Sequence, residues 1–273
     1  MSRVPLSVLI PTYNEEKNIR ACLESVSWAD EIVVVDAHSK DRTVRIAEQH
    51  AARVLQHTER NPTAQKNWAL PQTTHPWVLI VDADERVPPA LQDEILALLG
   101  SRPDHRGYLI RRKNHFYEQP IHYGGWKNDR VLRLFDRNKG RYTDRLVHET
   151  VEILGPTPCL NNRLLHYTFQ DFHRYMEKIN RYTDWGARQL DREGRRANIA
   201  HLAFRPLHHF IKSYLLRLGF LDGIAGLALA SLGAFSVFLK YVKLWELHQT
   251  QHLAGNQDLP ADEHAATNTL QEK

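Results

Sequence analysis

Residues 79–87 read LIVDADERV, an apolar run that stops at Asp82 and places a second carboxylate at Asp84. The apolar residues do not alternate with polar ones, which is typical of a strand buried on both faces of a sheet. Ligands of open parallel sheets bind outside the carboxyl ends of the strands, so the two acids indicate a ligand site. If the backbone stays extended, both carboxylates project to the same side and reach one cation or one ligand hydroxyl.

Similar runs precede this one along the chain. They are LSVLI, EIVVVD and ARVLQ, and each is followed by a stretch with helical periodicity. Four helices are predicted. The first runs from Glu15 to about Ser27, the second from Asp41 to about Ala51, and the third begins near Asn61 and Pro62. The fourth is PPALQDEILALLG, which ends at Gly100. Strands joined by crossover helices predict an α/β fold with a mostly parallel central sheet.

The pattern changes after this α/β part. Between Gly107 and about Thr168, the aromatic and basic segments YLIRRKNHFY, RVLRLF, HETVEIL and LLHYTF predict an added sheet region. A long helix is expected from about Asp171 to Glu193, and residues 215–239 are the most apolar stretch. We therefore divide the chain into an α/β domain (1–170), a helical region (171–250) and a polar, disordered tail (251–273).

Composition sets broad limits. The 273 residues are 42% hydrophobic and 25% charged, which is ordinary for a globular protein. The formal charge of +4 fits an anionic partner, either nucleic acid, a phosphorylated sugar donor or an acidic membrane. Cys22 and Cys159 form no CxxC pair, and Cys22 falls on an apolar helix face, so we expect a buried free thiol and a reducing, cytoplasmic setting. No signal peptide is expected in the first residues.

The carboxylate pair suits a divalent cation. Mg²⁺ or Mn²⁺ prefers such oxygen ligands and would neutralise the charge on a departing diphosphate. An alternative is that Asp84 and Glu85 cap the helix that begins near Pro88.

Other polar residues follow the same logic. Asp36 ends the second strand and can accept hydrogen bonds from a base or ribose, or it is a turn residue. Phosphate-binding glycine motifs are absent from the sequence, so basic side chains would have to hold phosphates. Lys66 and Arg133 are the candidates, although either could be a solvated surface charge.

Three segments together resemble a known family. SVLIPTYNEEKNIRACLESV (7–26), EIVVVDAHSKDRT (31–43) and WVLIVDADERV (77–87) resemble family 2 glycosyltransferases, which have the GT-A (nucleotide-diphospho-sugar transferase) fold. DRVLRLF, LVHETV and RPLHHFIKSYLLRLGFLDGIAGL further resemble the lipopolysaccharide core β-1,4-glucosyltransferase group.

The resemblance implies a role for each motif residue. The nucleotide pocket would be lined by Pro11, Thr12, Asn14 and Glu15, with Asp36 on the uracil, Asp82 on the ribose or donor sugar, and Asp84 on the metal. Such enzymes invert the anomeric carbon in a single displacement, in which a carboxylate takes the proton of the acceptor hydroxyl.

We assign the catalytic base to the segment LVHET (residues 146–150). We expect Glu149 to act as the base with His148 beside it, and Asp129 and Asp144 are held in reserve. His148 could instead bind metal or phosphate while another acid acts. A further alternative places the glutamates of HETVEIL on the solvent face of a strand.

The remaining features concern the acceptor. Trp126 could stack on an acceptor sugar or serve in packing. Residues 218–239 contain one acid, Asp222, and many small residues between basic flanks. We expect a pair of interfacial or re-entrant helices, with a true span or a homodimer contact as alternatives.

These observations predict an inverting, metal-dependent transferase at the cytoplasmic face of the inner membrane. It would move a hexose, glucose from UDP-glucose, to a lipid-linked glycan such as the inner-core heptose of lipopolysaccharide. A rival acceptor is polyprenyl phosphate or another membrane glycan. Rivals of another class are a catalytically silent membrane scaffold and a nucleic-acid-binding protein. The last lacks a recognisable motif, and its strand-end acids would repel phosphates, so we expect no nucleic-acid partner.

Overall fold

The computed structural model describes residues 3–50, 52–58, 61–143, 150–169 and 171–257. Within them, strands and helices alternate as far as Gly100. Strands then predominate up to Phe169, and the remainder is helical.

The first four strands form the parallel part of the central sheet. They are β1 (Leu6–Thr12), β2 (Glu31–Asp36), β3 (Arg53–Gln56) and β4 (Trp77–Ile80), in the order β3-β2-β1-β4. Along β1, Val8 and Ile10 pack in one apolar cluster with Leu91, while Leu9 packs in another with Ala69. Because each face of the sheet has its own core, the strands are apolar throughout. The predicted α/β fold is confirmed.

Four helices accompany these strands. They are α1 (Ile19–Ser25), α2 (Thr43–Gln49), α3 (Pro62–Ala69) and α4 (Pro89–Gly100). Helix α3 begins as predicted, because the Asn61 side chain accepts hydrogen bonds from two of its first N–H groups. Helix α1 begins at Ile19 rather than at Glu15, since Asn14 has a φ of 56° and the next residues form a turn.

The later strands extend the same sheet. They are β5 (Glu85–Arg86), β6 (Gly107–Phe116), β7 (Gln119–Pro120), β8 (Arg130–Asp136), β9 (Gly140–Tyr142), β10 (Val151–Ile153) and β11 (Cys159–Phe169). Strand β8 pairs antiparallel with β4 and β6, and the order continues β4-β8-β6-β11-β5. Strands β9 and β10 pair separately. The predicted added region is therefore a continuation of the central sheet, which is mixed.

The C-terminal part is helical. It comprises α5 (Phe172–Arg192), α6 (Ile199–Ile211), a π-helical turn (Lys212–Leu216), a 3-10 turn (Gly219–Asp222) and α7 (Gly223–Gln257). The long helix predicted from Asp171 is present as α5, with Asp171 as its cap. The apolar stretch 215–239 is not one element, because the chain reverses at Leu218, which has a φ of 59°.

Helices α6 and α7 form an antiparallel pair, which we call the C-terminal hairpin (residues 199–257). His209 lies against Gly233, and His201 stacks on Tyr241. One helical stretch in the described part of the chain, Gly219–Thr250, is long and apolar enough to cross a bilayer by length and composition. Residues 251–257 continue α7.

Candidate active site

The ends of β1 and β2 are joined at Asp36. Its carboxylate accepts hydrogen bonds from the Thr12 hydroxyl (3.1 Å) and from the Ser39 N–H (2.7 Å) and hydroxyl. Asp36, Thr12 and Pro11 are all buried. Asp36 therefore makes the contacts expected of a turn residue. Its predicted hydrogen bond with the nucleotide base stays a prediction.

The loop after β1 carries Asn14 and Glu15. The Asn14 side chain accepts a hydrogen bond from the Lys40 N–H at 2.8 Å, which ties the loops after β1 and β2 together. Glu15 accepts a hydrogen bond from the Asn18 amide at 2.8 Å. Burial and the nearby Asp84 carboxylate raise the pKa of Glu15 to about 7.

Asp82 is held by two buried cations. The Lys66 ammonium lies 3.1 Å from one carboxylate oxygen, and the Arg133 guanidinium donates to the other. Burial alone would raise the pKa of Asp82, but Arg133 and Lys66 hold it well below its usual range. Lys66 and Arg133 are 1% and 4% exposed, so the alternative that they are solvated surface charges is wrong.

Glu85 forms a second centre that sequence reasoning missed. Its fully buried carboxylate accepts hydrogen bonds from Arg133 (2.9 Å), Arg112 (3.4 Å) and the Asp82 N–H (2.9 Å). Arg112 also binds both oxygens of Asp129 at 2.8 and 2.9 Å. Although burial opposes it, this pairing lowers the pKa of Asp129, so this reserve base is engaged in an ion pair.

Asp84 faces a different set of groups. Its carboxylate lies 3.5 Å from the His166 imidazole and 3.5 Å from the Lys178 ammonium of α5. Burial alone would raise the pKa of Asp84, but His166 and Lys178 hold it well below its usual range. His166 also contacts the side-chain amide oxygen of Asn114 through Nδ1 at 2.6 Å. Neither partner was predicted, because each is distant in sequence and carries no local motif.

The expected arrangement of the acid pair is wrong in one respect. The chain does not stay extended after β4, because the Glu85 N–H donates to the Asp82 carbonyl and closes a turn. Asp82 and Asp84 therefore contact different partners, although they remain close enough for each charge to affect the other. In this turn the Glu85 carboxylate accepts hydrogen bonds from the Asp82 N–H and from Arg133.

Asp82 and Asp84 each line a cavity. The smaller, of 220 Å³, is lined by Asn14, Glu15, Asp84, Arg174 and Lys178, among others. The larger, of 1280 Å³, is lined by Asp82, Arg133, Trp126, Tyr142 and residues of the C-terminal hairpin. Of the eight predicted donor residues, Asn14, Glu15, Asp82 and Arg133 line these cavities, as does Trp126, whereas Pro11 and Thr12 do not. Lys66 lies behind Asp82, and Asp36 is buried beneath its loop.

The predicted base lies outside the described residues, as do His148 and Asp144. Thr150, the residue after Glu149, lines the larger cavity. Within the described residues, no three His, Cys, Asp or Glu side chains cluster as a metal site. Cys22 and Cys159 are free thiols, and Cys22 is buried as predicted.

Comparison with known proteins assigns the chain to a family. Residues 7–159 match the family model described as glycosyl transferase family 2. The chain is 30% identical to the lipopolysaccharide core biosynthesis glycosyltransferase LpsC of Rhizobium meliloti, over 90% of this chain and 94% of that protein. It is 29% identical to an uncharacterized glycosyltransferase of Rickettsia typhi, over 89% of this chain and 87% of that protein.

Among solved structures, the chain resembles glucosyl-3-phosphoglycerate synthase from Mycobacterium tuberculosis, crystallised with Mn²⁺ and uridine diphosphate. The identity is 23%, over 42% of this chain and 45% of that chain, with a TM-score of 0.35. The family match and the relative that is similar over nearly its whole length agree, and the chain belongs to glycosyl transferase family 2.

Proposed function

We propose that this glycosyltransferase moves glucose from UDP-glucose, with inversion, onto a lipid-linked glycan such as the inner-core heptose of lipopolysaccharide. The observation that carries the proposal is that Asp82 and Asp84, two residues apart in sequence, line different cavities. A donor bound at this point would present its diphosphate to Lys178 and Arg174 and its sugar to the larger cavity. The lipopolysaccharide relative supports the acceptor class.

A divalent cation, Mg²⁺ or Mn²⁺, fits the chemistry of Asp84 and His166. In its neutral form, with Nδ1–H donated to the Asn114 side chain, His166 would offer the lone pair of Nε2 to an ion that Asp84 also binds. A Mg²⁺ ion commonly takes one or two carboxylates and completes its shell with substrate phosphates and water. When bound, the metal would stabilise the leaving diphosphate.

The charged residues of the chain prepare this site before substrate binds. Lys66 and Arg133 keep Asp82 ionised and fixed, so that it can accept a hydrogen bond from a sugar hydroxyl. Lys178 and Arg174 offer positive charge to phosphate oxygens. For the base we propose Glu149, whose neighbour Thr150 lines the cavity where an acceptor hydroxyl would lie.

The acceptor would be met at a membrane surface. Apolar side chains are exposed along α6 and the end of the hairpin, namely Phe204, Leu207, Leu215, Leu216, Phe220, Leu221 and Ile224. The one acid between Gly194 and Trp245 is Asp222, and it is buried facing His122 and Tyr123. The outer surface is thus apolar and basic, which suits an anionic leaflet.

Lying on the membrane fits the hairpin better than spanning it. In the second half of α7, Lys243 pairs with Asp184 of α5 at 2.6 Å, and Leu244 is buried near Ala187. A span through residues 219–250 would draw α5, which carries Lys178, toward the bilayer. We therefore propose a peripheral or monotopic enzyme. Polyprenyl phosphate remains the rival acceptor, while family membership argues against a nucleic-acid-binding protein.

Calorimetry with UDP-, GDP- and dTDP-sugars, each with Mn²⁺ and with EDTA, tests the donor and the metal. We expect one UDP-sugar to bind only with metal, and Asp84→Ala to abolish both this binding and transfer. The matched control is Asp93→Ala, which removes an exposed carboxylate from α4. Full transfer activity in the Asp84 variant, or no nucleotide-sugar binding by the wild type, would overturn the proposal.

A further inference from the structure

Four basic side chains, of two lysines, one arginine and one histidine, line the part of the larger cavity formed by the C-terminal hairpin. His209 lies on α6, Lys212 and Arg217 on the turn that follows, and Lys240 on α7. Among the residues that the structure describes, no carboxylate lies within ion-pair distance of any of the four. The cluster therefore carries positive charge that its own surroundings leave uncompensated.

The acidic residues that line the same cavity form ion pairs or hydrogen bonds with other residues. Asp82 pairs with buried cations at the strand end, and Asp222 accepts the N–H groups of His122 and Tyr123 at 3.1 and 2.9 Å. Glu193 pairs with Arg195 at 3.4 Å, although its charge also reaches Lys240. An anion entering this region would meet cations that are open to pairing.

Packing brings the four basic side chains together. The His209 ring lies on Gly233 of α7, where a Cβ atom would come within 2.5 Å of it. The Arg217 guanidinium lies beside Gly125, 3.9 Å from the position of a Cβ there. Burial lowers the pKa of His209, and Arg217, Lys212 and Lys240 lower it further. Like charges gathered without a counter-ion raise the free energy of the unliganded protein, and an anion would relieve this.

We propose that His209, Lys212, Arg217 and Lys240 form a binding subsite for a phosphate ester at the membrane end of the larger cavity. The inference rests on the proposed function, because the same cavity reaches Asp82 and Trp126, where transfer would occur. Lysine and arginine are the usual ligands of phosphate oxygens. The phosphate belongs either to the acceptor glycan or to a phospholipid headgroup.

The test compares Lys212→Gln/Arg217→Gln with Arg188→Gln/Arg192→Gln. Both double variants remove two exposed positive charges, and the control pair on α5 does not line the cavity. One arm measures calorimetric binding of glucose 6-phosphate against glucose. The other measures sedimentation with phosphatidylcholine vesicles, with and without phosphatidylglycerol. We expect the first double variant to lose about tenfold in one arm and the control pair to lose little.

The arm that responds identifies the source of the phosphate. A response to glucose 6-phosphate indicates a glycan phosphate, and a response confined to phosphatidylglycerol vesicles indicates a headgroup. If the two double variants show equal glucose 6-phosphate binding and equal vesicle sedimentation, the proposed subsite is contradicted. Binding of UDP-glucose with Mn²⁺, measured on the same preparations, separates this failure from failure of the proposed function, which predicts donor binding in every variant. Lys240→Gln checks the same subsite from α7.

Discussion

At the scale of single residues, the acids around the site differ in the charge they hold near neutral pH. Cations keep Asp82 and Asp84 ionised, whereas burial and Asp84 raise the pKa of Glu15 from 4.5 to about 7. Asp84 thus stays available to a cation, while Glu15 can be neutral beside it.

This difference predicts a pH dependence for Glu15→Gln. Between pH 4.5 and about 7 the folded chain holds the Glu15 proton more tightly than the unfolded chain, so stability falls as pH rises through this window. From about pH 5 to about pH 8, the wild type should lose about 1–3 kcal/mol more free energy of unfolding than the variant. Urea unfolding in EDTA measures this, with the exposed Glu118→Gln as control. Identical pH profiles for wild type and variant would contradict it.

Glu149→Gln tests the proposed base. The amide cannot take a proton, so turnover should fall by about 10²–10⁴ while donor affinity stays nearly unchanged. Steady-state kinetics and calorimetry measure the two effects. Glu152→Gln is the matched control, because Glu152 lies exposed on β10 nearby. Unchanged turnover in the Glu149 variant would remove it from this role.

At the scale of elements, Asp222 joins the C-terminal hairpin to the segment that carries Trp126. Its two carboxylate oxygens accept the N–H groups of His122 and Tyr123. A backbone hydrogen bond completes the joint, since the Gly124 N–H donates to the Arg217 carbonyl at 3.0 Å. The segment before β8 is therefore positioned by a helix more than ninety residues later in sequence.

We expect Asp222→Ala to loosen this joint. Two N–H groups lose their partners, so the free energy of unfolding should fall by about 1–3 kcal/mol. The KM for the acceptor should rise while donor affinity stays unchanged, because residues 123–126 line the larger cavity. Glu246→Ala, which removes an exposed acid from α7, is the control. A loss of donor affinity equal to the loss for acceptor would contradict the positioning role.

At the scale of the whole molecule, the proposed membrane face predicts the behaviour of exposed leucines. Leu216→Ser, at the hairpin end, should lower sedimentation with anionic vesicles several-fold, because less apolar surface enters the interface. Its free energy of unfolding should change by less than about 0.5 kcal/mol, since Leu216 is 72% exposed. Leu154→Ser, which alters a leucine that is 78% exposed and lies outside the hairpin sequence, is the control. Equal effects of the two substitutions would argue against a specific membrane face.

Local patterns were sufficient for the elements that fold by short-range rules. The buried strands, the Asn61 cap of α3, the long helix α5 and the strand-end position of Asp82 and Asp84 are readable because each depends on neighbouring residues. The GT-A fold was implied by the resemblance of three segments within residues 7–87 to family 2 glycosyltransferases. The start of α1 was misplaced, because the conformation of Asn14 is set by contacts with the loop after β2.

The sequence by itself determined the fold, the family and the edge of the sheet where the acids lie. Tertiary structure alone decided what each acid of residues 82–85 contacts. The partners come from distant parts of the chain, namely His166, Lys178, Arg133 and Arg112. It likewise decided that Lys66 is buried and that Asp222 faces inward. A charge can leave water only where a partner from elsewhere in the chain compensates it, and no local pattern records that partner.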